Sequence, residues 1–364
     1  MFSEADSAHM ARALQLAAHG RYTAHPNPLV GCVIVADGEV IGEGWHAKAG
    51  EEHAEVIALR AAGDRATGAT VYVSLEPCSH HGKTPPCADA LVEAGVARVV
   101  AAMEDPFDKV GGRGLDRLRD AGIETEVGLM ATAAEALNAG FVSRVARGRP
   151  FVRLKVAASL DGATAMDSGE SQWITGPAAR HDVQKLRARS GAIMTGIGTV
   201  LADDPSLTVR DKDIDTAGRQ PLRVVLDSRL RMPLSATMLT LPGETLVCCT
   251  AGNDASALEG AGAEVREFGA HGDMVNVFEV LAILAERGIN DVLVEAGPSL
   301  SGYLVEKELV DELVIYQAPH IMGSNTRGMF ATPVWTALAD RKALDIVDVR
   351  KVGDDTRITA RFGD

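Results

Sequence analysis

The sequence has few cysteines and no long apolar run. Both features limit the classes of protein to which it can belong. Five cysteines, at positions 32, 78, 87, 248 and 249, are few and odd in number for 364 residues, so an oxidising compartment has no support. No segment approaches the length of a membrane span, and the N-terminus MFSEADSAHM carries acidic residues and no apolar signal core. We therefore expect a cytoplasmic protein with reduced thiols and no membrane partner.

Positive charge is also scarce. Lys and Arg number 36 against 50 Asp and Glu, which gives a formal net charge of −14. Such a field repels phosphate backbones, so we expect no nucleic-acid partner. A small anionic substrate would instead need a local cluster of Arg or Lys, or a helix N-terminus. The composition, 46% apolar and 24% charged, is that of a globular chain, and its length suits two domains with separate cores.

Strand and helix patterns alternate along the chain, which predicts α/β domains with helices on both faces of each sheet. Residues 3–19 predict a helix capped by Ser3, and 30–35 with 40–45 predict a β-hairpin turning at Asp37-Gly38. The basic turn 147–150 marks the boundary between domains 1–148 and 149–364. The other predicted helices are 54–62, 87–95, 131–146, 177–190 and 277–287, and the other predicted strands are 70–76, 98–103, 151–159, 192–197, 222–228, 245–250, 291–297 and 312–318.

One histidine and two cysteines form the most informative motif of the first domain. His53 lies in H-A-E at 53–55, and Cys78 and Cys87 close the ends of P-C-S-H-H-G-K-T-P-P-C. Zinc binds imidazole and thiolate, and a catalytic zinc has three protein ligands. Cys87 opens a predicted helix, where the helix dipole favours the thiolate. A catalytic zinc site is one interpretation, and three unrelated loop residues are the other.

Glu55 and the histidines of the loop bear on the kind of zinc site. Glu55 shares a face with His53 only if His53 enters its helix with non-helical backbone, which we assume. A structural zinc would need a fourth ligand, which His80 or His81 could supply. A carboxylate beside the metal favours the catalytic interpretation, because a purely structural site does not need it.

H-x-E with a downstream P-C resembles the zinc nucleobase deaminases, in which the Glu carries a proton between water and substrate. The sequence departs from their P-C-x-x-C, since eight residues separate its two cysteines. With T-A-H-P-N-P-L-V-G-C-V at 23–33 and G-W-H at 44–46, the long loop looks like the deaminase half of the bifunctional riboflavin-biosynthesis deaminase-reductases. The resemblance implies zinc on His53, Cys78 and Cys87, proton transfer by Glu55, and substrate contacts at Asn27, His46 and Lys83, with Lys83 at the ribose phosphate.

Four motifs of the second domain end strands in Gly, Ser or Asp, at 155–162, 168–175, 196–210 and 294–302. Such strand-end turns bind ligands in open α/β sheets. In the last motif, Pro298 at a first helical turn leaves N–H groups facing an anion. G-x-G-x-x-G is absent, so the usual dinucleotide fingerprint is excluded.

Together the four motifs look like the reductase half of the same family, whose fold resembles dihydrofolate reductase. The resemblance implies an N-terminal cytidine-deaminase-like domain and a C-terminal dihydrofolate-reductase-like domain. It implies NADPH contacts at Ala157, Trp173, Thr199, Asp203, Ser228, Gly297, Pro298, Ser299, Leu300, Ser301, Gly302 and Tyr303. It implies substrate contacts at Ser171, Arg187, Leu207, Arg210 and Glu295, of which the two arginines would supply the local cationic cluster.

The resemblance implies two successive reactions. The first is zinc-dependent hydrolytic deamination of 2,5-diamino-6-(5-phosphoribosylamino)pyrimidin-4-one. The second is NADPH-dependent reduction of its ribosyl side chain, which gives 5-amino-6-(5-phosphoribitylamino)uracil, with Asp203 or Glu295 assisting proton transfer. The resemblance also implies a homo-oligomer.

Three alternatives stay open at this point. The first is a single-function zinc deaminase with an inactive reductase-like domain. The second is a nucleotide-binding regulatory module with a structural zinc. The third is a tRNA or cytidine deaminase, which the acidic charge and the long cysteine spacing disfavour.

Overall fold

The computed structural model describes residues 2–79, 86–107 and 111–362. The chain divides into two compact units, 1–148 and 149–364, with the division at the basic turn. In the part of the chain that the structure describes, none of the helices combines the length and the apolar character needed to span a bilayer. All five cysteines are free.

The first unit is built around one mixed sheet. Its described elements are α1 (Glu4–Ala17), β1 (Gly31–Ala36), β2 (Glu39–Trp45), α2 (Ala54–Ala62), β3 (Thr70–Val73), α3 (Cys87–Glu93), β4 (Arg98–Ala101), α4 (Arg113–Asp120), β5 (Glu124–Val127), α5 (Ala131–Leu137) and α6 (Ala139–Arg147). The strand order is β2-β1-β3-β4-β5. β1 pairs antiparallel with β2 and β3, whereas β3, β4 and β5 are parallel.

Helices cover both faces of this sheet, as predicted. Ile34 of β1 packs with Ala58 of α2 and Leu91 of α3 on one face. Its neighbour Val33 packs with Met10 of α1 on the other face. Successive strand side chains point to opposite faces, so a strand covered on both sides is apolar at every position. The continuous apolar run of β1 has this cause.

Local chemistry fixes the ends of α1 and the turn of the hairpin. Ser3 caps α1, and Asp6 completes a capping box. Asp6 also accepts hydrogen bonds of 2.7 Å from Tyr72 and Arg98, which join α1 to β3 and β4. The hydrogen bond from Arg98 holds the pKa of Asp6 well below its usual range. Asp37 and Gly38 have the positive φ angles expected for the hairpin turn.

The second unit contains a larger sheet. Its described elements are β6 (Phe151–Ala158), β7 (Ala163–Met166), α7 (Pro177–Arg189), β8 (Ala192–Gly196), α8 (Ile197–Asp203), β9 (Leu222–Leu226), α9 (Thr237–Thr240), β10 (Thr245–Thr250), α10 (Ser256–Gly260), β11 (Glu264–Phe268), β12 (Ala270–His271), β13 (Met274–Val275), α11 (Val277–Glu286), β14 (Asp291–Glu295), α12 (Pro298–Glu306), β15 (Glu312–Gln317), β16 (Thr326–Gly328), β17 (Leu344–Val352) and β18 (Asp355–Phe362). The order of the main sheet is β11-β10-β9-β8-β14-β6-β15-β18-β17.

The strands from β11 to β15 in this order are parallel, and β18 and β17 continue the sheet antiparallel. Core clusters lie on both faces, with Val292 and Val294 in one cluster and Leu293 in the other. Because parallel strands place their carboxyl ends at one edge, the motifs that follow β6, β8, β9 and β14 meet there. The fold therefore brings together segments that are up to 140 residues apart in the sequence.

Candidate active sites

The first candidate site lies where α2 and α3 begin. His53 precedes α2 with extended backbone, φ −77° and ψ 161°, so the assumption that it enters the helix with non-helical backbone is confirmed. Glu55 lies in the first turn of α2. Cys87 is the first residue of α3, after Pro86. Both helix starts therefore contribute side chains to one place.

The histidine and the two cysteines form a compact cluster. His53 Nδ1 lies 3.1 Å from Cys87 Sγ and 3.6 Å from Cys78 Sγ. All three ligand atoms lie within 4.8 Å of one another. A tetrahedral zinc at its usual bond lengths holds sulfur and nitrogen ligands about 3.5–3.8 Å apart. The donor set and its spacing therefore fit a zinc ion.

The two thiols differ in proton affinity. The backbone N–H of Cys87 donates to Cys78 Sγ over 3.3 Å. A hydrogen bond from the Cys87 thiol outweighs burial and, with His53, lowers the pKa of Cys78 to about 4. The same hydrogen bond and burial raise the pKa of Cys87. The cluster thus favours one thiolate before any metal arrives, and thiolate is the form that binds a metal.

Glu55 is a buried carboxylate beside this cluster. Glu55 is only 3% exposed, and its Oε2 has no hydrogen-bond partner among the described residues. Burial, with the nearby Cys78, raises the pKa of Glu55 to about 7. A buried polar atom without a partner is costly in a folded protein. Glu55 Oε2 is therefore available to a group that the described residues do not provide.

Two glycines of β2 bring that strand against α2. A Cβ added at Gly44 would lie 2.3 Å from the carbonyl oxygen of Ala54, and one at Gly42 would lie 2.2 Å from that of Ala58. Both distances are far below contact, so no larger residue fits while the backbones stay in place. This close approach fixes the start of α2 and thereby His53 and Glu55.

Asn27 and His46 adjoin the cluster, as the family resemblance implies. His46 Nε2 lies 3.0 Å from Asn27 Nδ2, and His46 Nδ1 lies 3.1 Å from the carbonyl oxygen of Glu52. An amide nitrogen donates and a carbonyl accepts, so His46 is neutral with its proton on Nδ1. Burial lowers the pKa of His46 accordingly, and its ring centroid lies 5.3 Å from that of His53. Lys83, His80 and His81 lie outside the described residues.

Glu76 was missed by the sequence reasoning. It is buried directly before Pro77-Cys78, and its carboxylate accepts backbone N–H groups from the segment before α4 and from the first turn of α4. The donors are Asp105 at 3.1 Å, Gly112 at 2.9 Å, Gly114 at 2.8 Å and Leu115 at 3.4 Å. An acid before P-C was visible in the sequence, but nothing local indicated its partners.

The second candidate site is a cavity of about 1290 Å³ at the carboxyl ends of β6, β8, β9 and β14. Most residues implied by the resemblance line it, and all of these except Arg187, Ser228 and Tyr303 come from the four sequence motifs. These are Ala157, Ser171, Trp173, Arg187, Thr199, Asp203, Leu207, Arg210, Ser228, Glu295, Gly297, Pro298, Ser299, Leu300 and Tyr303. Ser301 and Gly302 do not line it, because Ser301 is buried and Gly302 is packed against the backbone of Ala331.

A buried ionic group lies at the end of β14. Glu295 accepts two hydrogen bonds from Arg187, of 2.6 and 3.1 Å, and lies 3.2 Å from Lys155 Nζ. Burial alone would raise the pKa of Glu295, but the two cations outweigh it and lower that pKa to about 2. Arg187 is therefore matched by a carboxylate rather than being an unpaired cation. Lys155, in the first motif, was not singled out from the sequence.

Helix starts and hydroxyl groups form another wall of the cavity. Gly297 precedes α12 without a side-chain cap, and Pro298 is its first residue, as predicted. The Thr199 hydroxyl accepts from the Gly297 N–H over 3.3 Å, and the Ser171 hydroxyl donates to Asp203 over 3.2 Å. Such a helix start offers N–H groups to an anion.

Trp173 and Arg210 complete the predicted set. Trp173 is 67% exposed. The guanidinium carbon of Arg180 lies over the Trp173 ring, 4.8 Å from the ring centroid. Arg210 donates to the Ser206 hydroxyl over 2.6 Å. An exposed aromatic face at the rim of a cavity can pack against a planar ligand.

Comparisons with known proteins agree for both halves. Residues 150–358 match the family model of the RibD C-terminal domain, and residues 3–103 match that of the cytidine and deoxycytidylate deaminase zinc-binding region. The riboflavin biosynthesis protein RibD of Escherichia coli K12 is 52% identical over 360 residues, which cover 96% of this chain and 97% of that protein. That of Haemophilus influenzae is 48% identical, with 98% of both chains covered.

Solved structures give the same result. Acinetobacter baumannii RibD, form 1, superposes with a TM-score of 0.93 at 45% identity, and 99% of each chain is covered. A diaminohydroxyphosphoribosylaminopyrimidine deaminase/5-amino-6-(5-phosphoribosylamino)uracil reductase from Thermotoga maritima gives a TM-score of 0.86 at 31% identity, again with 99% of each chain covered. The predicted pair of a cytidine-deaminase-like and a dihydrofolate-reductase-like domain is confirmed. The chain belongs to the RibD family, the bifunctional deaminase-reductases of riboflavin biosynthesis.

Proposed function

We propose that the first unit deaminates 2,5-diamino-6-(5-phosphoribosylamino)pyrimidin-4-one and that the second unit then reduces the ribosyl side chain of the product with NADPH. The observation that carries the deaminase proposal is the buried, unpartnered Glu55 beside a three-ligand cluster. A structural zinc needs no such carboxylate. A nucleotide-binding regulatory module is therefore disfavoured.

In the deamination, His53, Cys78 and Cys87 would hold zinc, which would supply Lewis-acid activation of a water molecule. Glu55 Oε2 accepts a proton from the attacking water and delivers it to the amino group, which leaves as ammonia. Asn27 and His46, joined by their own hydrogen bond, orient the pyrimidine ring. Lys83 contacts the ribose phosphate.

In the reduction, NADPH supplies the hydride. We assign its contacts to residues that line the cavity, and the start of α12 would offer N–H groups to its phosphates. These residues are Ala157, Trp173, Thr199, Asp203, Ser228, Gly297, Pro298, Ser299, Leu300 and Tyr303. Substrate contacts are Ser171, Arg187, Leu207, Arg210 and Glu295. Because Arg187 and Lys155 keep Glu295 ionised, Glu295 acts as a hydrogen-bond acceptor for a substrate hydroxyl. That supports Asp203, of the two acids considered, as the group that assists proton transfer.

The test follows both reactions in one sample. Zinc-loaded protein receives the diaminopyrimidinone, and ammonia is measured before NADPH is added; absorbance at the nicotinamide band is measured afterwards. We expect ammonia first and then stoichiometric NADPH oxidation. Glu55→Gln should lower ammonia release about 10²–10⁴-fold with zinc content unchanged. Glu93→Gln, on the exposed side of α3, is the matched control.

Each alternative has its own result in this assay. Ammonia without NADPH oxidation would reduce the chain to a single-function deaminase. Neither signal would refute the proposal and favour the regulatory module. A cytoplasmic location and a homo-oligomeric state stay predictions.

A further inference from the structure

Two arginines on the loop after β9 line the cavity of the second unit. Arg229 has a side chain 71% exposed and Arg231 one 57% exposed. Arg229 Nη2 lies 3.9 Å from Asp273 Oδ1, and Arg231 Nε lies 3.9 Å from Asp227 Oδ1. These separations are too long for hydrogen bonds. Both guanidinium groups therefore keep their donors available.

The other arginines that line the cavity are already engaged. Arg187 pairs with Glu295, and Arg180 donates to the carbonyl of Thr175 over 2.7 Å. Arg210 donates to Ser206 over 2.6 Å, and Arg327 to the carbonyl of Asp167 over 3.2 Å. Among the described arginines that line the cavity, Arg229 and Arg231 thus stand out as two neighbouring cations whose paired carboxylates, Asp273 and Asp227, lie beyond hydrogen-bonding distance.

The loop that carries them is held in place by its own residues. Asp227 is fully buried, and its Oδ2 accepts the N–H of Met232 over 2.8 Å. The carbonyl of Ser228 accepts from Thr250 Oγ1 over 2.8 Å and from Asn253 Nδ2 over 3.0 Å. The loop therefore presents both arginines and the Ser228 hydroxyl at a fixed place in the cavity wall.

The position of the loop indicates which part of a ligand it meets. β9 is two strands from β14 in the order β9-β8-β14, which is roughly 10 Å at the usual strand spacing. The ionic group of Glu295 and the start of α12 lie at β14. A ligand that contacts both places is elongated along the sheet edge, as a dinucleotide is, and its outer end reaches the loop.

We propose that Arg229 and Arg231, with Ser228, bind a phosphate monoester, namely the 2′-phosphate that distinguishes NADPH from NADH. Two guanidinium forks match the geometry and charge of a terminal phosphate. The carboxylates of Asp273 and Asp227 oppose anion binding but do not reach hydrogen-bonding distance. This inference rests on the proposed reductase function. The substrate's ribose phosphate is the other possible source of the same group.

The test is equilibrium binding, measured by calorimetry, rather than turnover. Wild-type protein and the variants Arg229→Ala and Arg231→Ala are titrated with 2′,5′-ADP, 5′-AMP, NADP⁺, NAD⁺ and ribose 5-phosphate. We expect each variant to bind 2′,5′-ADP and NADP⁺ about 10- to 100-fold more weakly than wild type does. Its affinities for 5′-AMP and NAD⁺ should be unchanged. Lysine at either position should restore part of the preference for NADP⁺ over NAD⁺, because it restores the positive charge. Arg266→Ala, at an exposed position on β11, is the matched control.

Three results would overturn the inference. Equal weakening of NADP⁺ and NAD⁺ would show a general effect on the site. Selective weakening of ribose 5-phosphate would assign the arginines to the substrate. Unchanged binding of every ligand in both variants would remove their role altogether. A wild-type protein that binds neither dinucleotide would instead refute the proposed reductase function itself, so the two failures are distinguishable.

Discussion

Glu76 joins the turn that carries Cys78 to the start of α4 and the segment before it. None of these donor residues belongs to the cluster of His53, Cys78 and Cys87. The Glu76 carboxylate accepts four backbone N–H groups from residues 105–115. Gly114 permits this contact, because a Cβ there would lie 1.9 Å from the carbonyl oxygen of Pro77. Glu76 is therefore a positioning residue, since it orients the cysteine turn without reaching the metal.

Replacement of Glu76 by Gln puts an NH₂ group against backbone N–H groups that donate to the Glu76 carboxylate. We expect a loss of about 1–3 kcal/mol of unfolding free energy. We also expect zinc affinity to fall about 10- to 100-fold, as for other groups that orient metal ligands. Urea unfolding measures the first effect, and competition with a chelator measures the second. Normal zinc affinity in a destabilised variant would make Glu76 merely structural, and Glu93→Gln should change neither quantity.

Glu295 makes the unfolding free energy of the second unit depend on pH in the acidic range. Its pKa falls from an ordinary value of 4.5 to about 2 because Arg187 and Lys155 outweigh burial. A carboxyl group with a lowered folded-state pKa stabilises the fold above its unfolded pKa. That contribution is lost as the pH falls toward the folded value. For Glu295 it is about 3 kcal/mol at neutral pH.

The expected result is a loss of stability between about pH 5 and pH 2 that depends on this side chain. Native-state hydrogen exchange of the β14 amides at several pH values gives their opening free energy. The difference between wild type and Glu295→Gln should shrink as the pH falls through this window. Glu286→Gln, at an exposed position on α11, should follow wild type throughout. A constant difference would contradict the assigned pKa.

At the scale of elements, local signals predicted starts and turns well. The helix over 54–62 matches α2 residue for residue, because an extended His53 and a following glycine delimit it. The helix predicted over 131–146 is instead two helices, α5 and α6, divided at Asn138. The Asn138 side chain bonds to both backbone groups of Leu29, at 2.7 and 3.0 Å. A partner more than a hundred residues away leaves no local trace in the sequence.

Site residues, too, were predictable only where their chemistry is visible in the local sequence. His53, Cys78 and Cys87 were predictable because their chemistry is visible in short motifs. Glu76, Lys155 and the Arg229–Arg231 pair were not, because their roles depend on which strand ends meet. The pairing of β17 with β18, and their addition to the parallel sheet, also escaped prediction. The Gly353-Asp354 turn between them is a local hairpin signal that was overlooked, whereas the sheet edge that the hairpin joins leaves no local trace.

β17 is an edge strand with exposed apolar side chains, which supports the predicted homo-oligomer. Ile346, Val347 and Val349 are each more than half exposed, and among the described strands β17 pairs only with β18. An exposed apolar edge strand is a template for pairing with another chain. A second copy fits, because antiparallel self-pairing around Asp348 places Asp345 opposite Lys351.

We expect Ile346→Asp and Val349→Asp to weaken self-association about 10- to 100-fold each, since each buries an aliphatic group in such a contact. Analytical ultracentrifugation over a concentration series measures the dissociation constant. Leu234→Asp, an exposed apolar position off this strand, is the control. A monomeric wild-type protein, or variants that assemble as wild type does, would exclude the β17 interface.

At the scale of the whole molecule, the positive charge that an anionic ligand needs is concentrated in one cavity, and each candidate site lies within one unit. The net charge of −14 opposes an anionic substrate, yet the cavity of the second unit gathers arginines and a helix start at one sheet edge. The core clusters likewise divide between the units, with two in each. Each candidate site is thus built from the residues of one unit.

Removal of the metal should therefore affect one half of the chemistry. Treatment with a chelator is expected to abolish ammonia release, because the cluster of His53, Cys78 and Cys87 lies in the first unit. It should lower the thermal stability of that unit as well, since a ligand that binds only the folded state stabilises it. Calorimetric titration with NADP⁺ should give an unchanged affinity, and added zinc should restore ammonia release. A loss of NADP⁺ affinity on chelation, reversed by zinc, would contradict the separation of the two sites, because each site's contacts lie within its own unit.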